Sequence, residues 1–87
     1  MANLKSALKR IRSDERKRVR NRMVRGRTRT FVKTAREAID SGNVEAAQEA
    51  TQQAVRELDK AVTKGVYHKN TASRTKSRLM KQLAALQ

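Results

Sequence analysis

The residues of this chain that can do chemistry are its cations. Between residues 5 and 29, 12 of 25 positions are Lys or Arg, and the only carboxylates are Asp14 and Glu15. Arg outnumbers Lys there, and the planar guanidinium fork matches phosphate oxygens and can stack on bases. At about 100° per residue these cations surround a helix completely. Arg12, Arg16 and Arg27 take one side, Arg18, Arg22, Arg25 and Arg29 another, with Arg10, Lys17 and Arg20 between. Partners at i,i+4 spacing, such as Asp14 with Arg18, offset only a small part of the repulsion. A solvated surface helix would mix its signs; a block of this kind is the electrostatic footprint of a nucleic-acid binder.

A second cluster begins near residue 64, where the chain runs to residue 79 without an acidic side chain. His68, Lys69 and Asn70 fall at the expected start of a helix, where side-chain donors and free backbone N–H groups can meet a phosphate. The plainer role for His68 or Asn70 is to cap that helix. Arg74, Arg78 and Lys81 form its cationic face, and Lys76, close to the apolar stripe, is expected to snorkel outward. Tyr67 reads as a lid on the end of a bundle rather than a stacking platform.

Other chemistries find no residues to carry them. With no Cys and one His, there is neither a disulfide framework nor a metal-ligand cluster. No nucleophile or carboxylate pair accompanies His68, so no catalysis, cofactor or small-molecule substrate is expected. Phe31 and Tyr67 are the only aromatic residues, too few for the stacking surfaces of RRM or OB modules. Recognition should rest on phosphates, sugars and shape. No apolar run approaches the ~20 residues of a membrane span. Cations on all sides of residues 12–30 exclude an interfacial helix, which needs one broad apolar face. The opening Met-Ala-Asn-Leu-Lys-Ser lacks the apolar core of a secretion signal. These features predict a soluble, intracellular protein with no membrane partner, its localisation cytoplasmic with a plastid not excluded.

The elements that must position these cations follow from punctuation and periodicity. The 87 residues carry a net charge of +14, unevenly: +11 over residues 1–34, −3 over 35–63 and +6 over 64–87. There is no Pro, and the three Gly are Gly26, Gly42 and Gly65. Gly favours the position just past a helix end, so Ser41-Gly42-Asn43 and Lys64-Gly65 predict two turns and three helices, at 4–41, 44–64 and 68–86. Asn43 should cap the second helix, with Glu45 complementing its dipole. Gly26, with no turn residues beside it, is expected to be tolerated or to give a mild bend.

Apolar residues recur at helical spacing. In the second helix Val44, Ala47, Thr51, Ala54, Val55, Leu58, Ala61 and Val62 share a face; in the third, Ala72, Leu79, Leu83 and Leu86 do, with Met80 at the edge. The first helix is divided. Val24, Thr28, Phe31, Ala35, Ala38 and Ile39 share one face, whereas Leu4, Leu8 and Ile11 lie nearly opposite. Upstream of Val24 the seam continues as Asn21, Arg20 and Lys17, which no apolar core would accept. The predicted fold is therefore all-α, a single domain of three-helix bundle type with a long projecting N-terminal helix: residues 1–23 are the basic projecting half and residues 24–87 the bundle. A bZIP dimer would need leucine heptads after the basic region, but Gly42 stops the helix two turns after Phe31, so a monomer is expected. Without a core of its own, the segment 5–23 is expected to become ordered on binding.

Three motifs carry a resemblance to a known family. They are Ala2-Asn3-Leu4-Lys5-Ser6-Ala7 with Lys9-Arg10; Arg29-Thr30-Phe31 leading to Ala38-Ile39 and Gly42; and Lys64-Gly65 with His68-Lys69-Asn70, Ala72, Arg74, Lys76-Ser77 and Leu79. Over nearly its whole length the chain resembles the twentieth protein of the bacterial small ribosomal subunit, found also in plastids. The resemblance implies a three-helix bundle that binds 16S rRNA directly and early in assembly of the small ribosomal subunit. It implies contacts with the 5′ domain and an approach to the long decoding-site helix. By matching position, Asn3, Lys5, Ser6, Lys9, Arg10 and Arg29, with His68, Lys69, Asn70, Arg74, Lys76 and Ser77, inherit the expectation of RNA contact. Arg12, Arg16, Lys17, Arg20, Arg22, Arg25 and Arg78 join them on charge and face. Composition alone would equally permit a general DNA-binding nucleoid protein; a polyanion-binding regulator has only the charge to recommend it.

Overall fold

The computed structural model describes residues 2–87, with side chains from Leu4 onward. Three helices follow one another: α1 at Ala2–Asp40, α2 at Val44–Thr63 and α3 at Lys69–Leu86. No strand occurs among the described residues. At 1.5 Å per residue α1 is about 58 Å long, and it alone sets the long dimension of a molecule measuring 64 × 20 × 13 Å. Helices α2 and α3 are about half that length, so the N-terminal part of α1 projects.

Both turns form where the glycines are. Gly42 and Gly65 have φ of 82° and 76°, the left-handed region that only Gly enters without strain. At the first turn the Asn43 side chain accepts a hydrogen bond from the Ala46 N–H at 3.2 Å, closing the start of α2. At the second, the N–H groups of Gly65 and Val66 donate to the carbonyls of Val62 and Ala61, each at 2.9 Å. That pair of bonds is the Schellman closure of a helix end. His68 then caps α3, its Nδ1 accepting from the Asn70 N–H at 3.1 Å. Gly26 lies inside unbroken helix.

The core is small and rich in Ala. Val32, Ala35 and Ile39 from α1, Ala47, Ala54, Leu58 and Ala61 from α2, and Ala72 and Leu79 from α3 are buried. Leu58 and Leu79 are the largest fully buried apolar side chains. Small side chains let the helix axes approach closely, which compensates for the few large ones. Thr28 is buried beside them, and its hydroxyl is satisfied by donating to the Val24 carbonyl of its own helix at 2.8 Å.

Two details depart from the periodicity. The buried face of α1 includes Val32, while Phe31 and Ala38 are only half-buried. The buried face is turned by some tens of degrees from the Phe31 and Ala38 edge toward Val32, the side that faces the start of α3. Val44, expected in the core, is 37% exposed at the mouth of the first hairpin. The basic projecting half of α1 continues the same helix back to Ala2. Its nucleus is the bundled half, and a nucleated helix rich in Arg and Lys extends at little cost per residue. No other helix covers it: Leu4, Leu8, Ile11, Val19 and Met23 are all exposed.

Candidate nucleic-acid interface

Along the projecting part of α1, Lys5, Ser6, Lys9, Arg10, Arg12, Arg16, Lys17, Arg20 and Arg22 are all exposed. The side chain of Asn3 lies outside the described residues. The expected pair of Asp14 with Arg18 does not form. Among the described residues, the ion pairs are Arg27 with Glu57, Lys60 with Glu57, and Lys76 with Asp59. None involves a cation upstream of Arg27. Every Lys and Arg from Lys5 to Arg22 is therefore available to an external anion.

One row of these cations does not stop at the bundle. Arg18, Arg22, Arg25, Arg29, Lys33 and Arg36 follow one another at spacings of three or four residues, which keeps them on one side of α1 over about 27 Å. No Asp or Glu occurs between residues 16 and 36. The far end of this ridge forms one wall of a cleft of about 780 Å³. Arg25, Arg29, Lys33 and Arg36 line that wall, and Tyr67, His68, Thr71 and Thr75 line the opposite one, over a floor of Val32, Leu58 and Val66. The tertiary fold thus brings Arg25 and Arg29 to the cap of α3, which lies roughly 40 residues away in sequence.

The capping bond fixes the chemistry of His68. Because Nδ1 accepts from the Asn70 N–H, the neutral ring carries its proton on Nε2 and presents a donor. Both roles weighed for His68 are thus compatible. Lys69 and Asn70 are exposed in the first turn of α3, beside N–H groups with no intrahelical partner.

The other residues assigned to α3 do not share one surface. Arg74 and Arg78 are exposed on the side that Thr71 and Thr75 continue from the cleft. Lys76 is about 160° around the helix from Arg74. It is half-buried, and its Nζ donates to Asp59 Oδ1 at 2.8 Å. Its head reaches outward to the exposed Asp59 carboxylate and ties α3 to α2. Ser77 lines a shallow groove with Lys76, Val55 and Met80, away from the cleft. Arg27 is likewise engaged within the molecule, by the buried Glu57.

Lys33, Arg36 and Tyr67 were not singled out from sequence as contact residues. A signal was present for the first two, since they continue the i, i+4, i+7 spacing past Arg29, but that part of α1 was read only for its apolar face. Tyr67 was read as a lid on the end of the bundle. Its ring packs against the core and lines the cleft at once, a placement set by the Gly65 turn.

Taken together, these features define a class: a small all-α protein with an uncompensated polycationic helix that extends beyond its own bundle. Residues 2–84 match the family model described as Ribosomal protein S20, and the chain belongs to that family. It is 50% identical over 86 residues to the small ribosomal subunit protein bS20 of Thermomicrobium roseum, covering 99% of this chain and 87% of that one. The bS20 of Beutenbergia cavernae is also 50% identical over 86 residues, with 99% and 100% covered. That of Streptomyces griseus is 48% identical over 87 residues, with 100% and 99% covered. The family is one of structural ribosomal proteins rather than enzymes, in keeping with the absence of a catalytic constellation in the sequence.

Proposed function

We propose that this chain is a structural constituent of the small ribosomal subunit and binds 16S rRNA directly. The observation that carries this reading is the projecting half of α1, whose cations have no ion-pair partner among the described residues. Its relatives are named as small ribosomal subunit proteins, which supports rRNA phosphate as the anion; in this reading the arm lies where several RNA helices converge. The chain acts as one unit in which residues 24–87 hold and aim the basic segment 1–23. Lys5, Lys9, Arg10, Arg12, Arg16, Lys17, Arg20 and Arg22 neutralise phosphates in the rRNA. Arg25, Arg29, His68, Lys69, Asn70, Arg74 and Arg78 do so at the bundle, with Asn3 and Ser6 as polar contacts. The site of binding is the 5′ domain, with an approach to the long decoding-site helix, and the protein is a monomer within the ribosome, cytoplasmic in a bacterium.

Phosphate neutralisation makes a quantitative demand. If ~6 to 10 phosphates are contacted, affinity falls ~10³- to 10⁵-fold between 50 and 200 mM salt. Titration of the protein into folded 16S rRNA at several salt concentrations measures this, and a nearly flat response would refute the mechanism. Footprinting on naked 16S rRNA tests the location: protection confined to a few 5′-domain helices is expected. Equal displacement by duplex DNA and by folded rRNA would instead favour a general DNA-binding role.

A further inference from the structure

We propose that the cleft between α1 and the start of α3 is a channel for one single RNA strand, with Lys33, Arg36, Tyr67 and Thr75 as contact residues. The inference rests on the rRNA-binding reading above and adds to it which part of the RNA this surface takes. Three observations carry it.

The first is size. A volume of about 780 Å³ falls in the roughly 300–1,000 Å³ range of clefts that enclose a drug-sized molecule. That is room for a nucleotide or two of one strand, and far too little for a duplex. A duplex could only lie across the rim, leaving the floor of Val32, Leu58 and Val66 untouched.

The second is the charge along one wall. Arg25, Arg29, Lys33 and Arg36 extend over about 16 Å of helix, a row that tracks consecutive phosphates rather than a single one. None of the four has an ion-pair partner among the described residues. The row also continues through Arg22 and Arg18 onto the projecting half, so a strand leaving the arm is led into the cleft without crossing an acidic side chain.

The third is the chemistry of the facing wall. The Thr75 hydroxyl donates its proton to the Thr71 carbonyl at 3.0 Å, so what it offers the cleft is acceptor lone pairs. A phosphate cannot use an acceptor; a ribose 2′-hydroxyl can donate to one. Beside it, Tyr67 presents a ring edge and a hydroxyl, and His68 presents the Nε2 donor fixed by its capping bond. Donors for phosphate thus line one side and an acceptor for ribose the other, an arrangement that favours RNA over DNA within the cleft.

The test uses the full chain and a folded 16S rRNA 5′-domain transcript, with hydroxyl-radical footprinting and salt titration. Lys33→Gln combined with Arg36→Gln, both at exposed positions, should leave the helix content unchanged by circular dichroism. The double variant should keep the protections made by the arm and lose protection at unpaired nucleotides. Its log–log salt slope should fall by about 1.4, since each single-strand phosphate contributes about 0.7. An unchanged slope and footprint would overturn the proposal, as would lost protections lying wholly within duplex. Thr75→Val should weaken binding to single-stranded RNA but not to single-stranded DNA of the same sequence; equal effects on both would overturn the ribose contact. If the wild-type protein shows no preference for rRNA over duplex DNA, the parent reading fails and the cleft proposal falls with it. Wild-type preference with an unaffected double variant removes the cleft proposal alone.

Discussion

Arg27 of α1 holds Glu57 of α2 with both arms of its guanidinium, Nε to Oε2 at 3.2 Å and Nη2 to Oε1 at 3.5 Å. The same guanidinium carbon lies 5.6 Å from the centre of the Phe31 ring. Glu57 is buried, and Lys60 Nζ also lies 3.7 Å from Oε1. One of the twelve cations between residues 5 and 29 is therefore engaged within the molecule, where it holds α1 against α2.

Replacing Arg27 should accordingly be a stability change more than a binding change. Its side chain is 64% exposed, so water screens the ion pair to about 0.2–1 kcal/mol, and the contact with Phe31 adds about 0.5–1 kcal/mol. Arg27→Ala is expected to destabilise the bundle by about 1 kcal/mol, a fall in Tm of about 4–8 °C for a domain of this size. Thermal melts followed by circular dichroism measure that. The salt slope of rRNA binding should stay at the wild-type value.

Lys76 and Arg78 should differ in the opposite sense from their shared charge. Lys76 is occupied by Asp59 at 2.8 Å, whereas Arg78 is exposed and unpaired among the described residues. Lys76→Gln is expected to leave the salt slope unchanged, and Arg78→Gln to reduce it by about 0.7–0.9. Parallel filter-binding titrations would expose any reversal of that order.

The glycines give a paired prediction. A Cβ at Gly26 would meet nothing within 4 Å, and the residue sits in regular helix, so Gly26→Ala should stabilise the protein by about 0.4–1 kcal/mol. A Cβ at Gly42 would also meet nothing, but φ there is +82°, and Gly42→Ala should cost about 1–2 kcal/mol in backbone strain alone. Urea denaturation of the two variants should move the midpoint in opposite directions.

Hydrogen exchange should fall into two regimes along the single helix α1. Amides from Thr28 to Ile39 lie beside the buried core and open only with the bundle, whereas those of residues 5–20 are held by helix propagation alone. In the free protein, protection is expected to decline from Val24 toward the N-terminus. On binding rRNA the projecting half should gain protection. Equal protection along all of α1 in the free protein would contradict this account.

What was legible in sequence was what neighbours along the chain decide. Helix number and ends followed from Gly42, Gly65 and Asn43, because a left-handed turn and a side-chain cap depend on residues within four positions of each other. The basic half of α1 was legible for the same reason: the stripe Val24 to Ile39 ends where Arg20 and Lys17 would have to be buried. Burial of Val32 in place of Phe31 was not, since a rotation of some tens of degrees depends on which helix presses on α1.

By itself, then, the sequence determined that three helices form, that one of them outruns its partners, and that the excess length carries unmatched positive charge. Only the tertiary structure decided how each cation is used. Arg27 and Lys76 are engaged within the molecule because α2 places Glu57 and Asp59 within reach, while Lys33 and Arg36 face His68, Tyr67 and Thr75 across a cleft. Periodicity is local and fixed by 3.6 residues per turn. The partner of a long charged side chain depends instead on the rotation and register of two helices against each other, which only their packing settles.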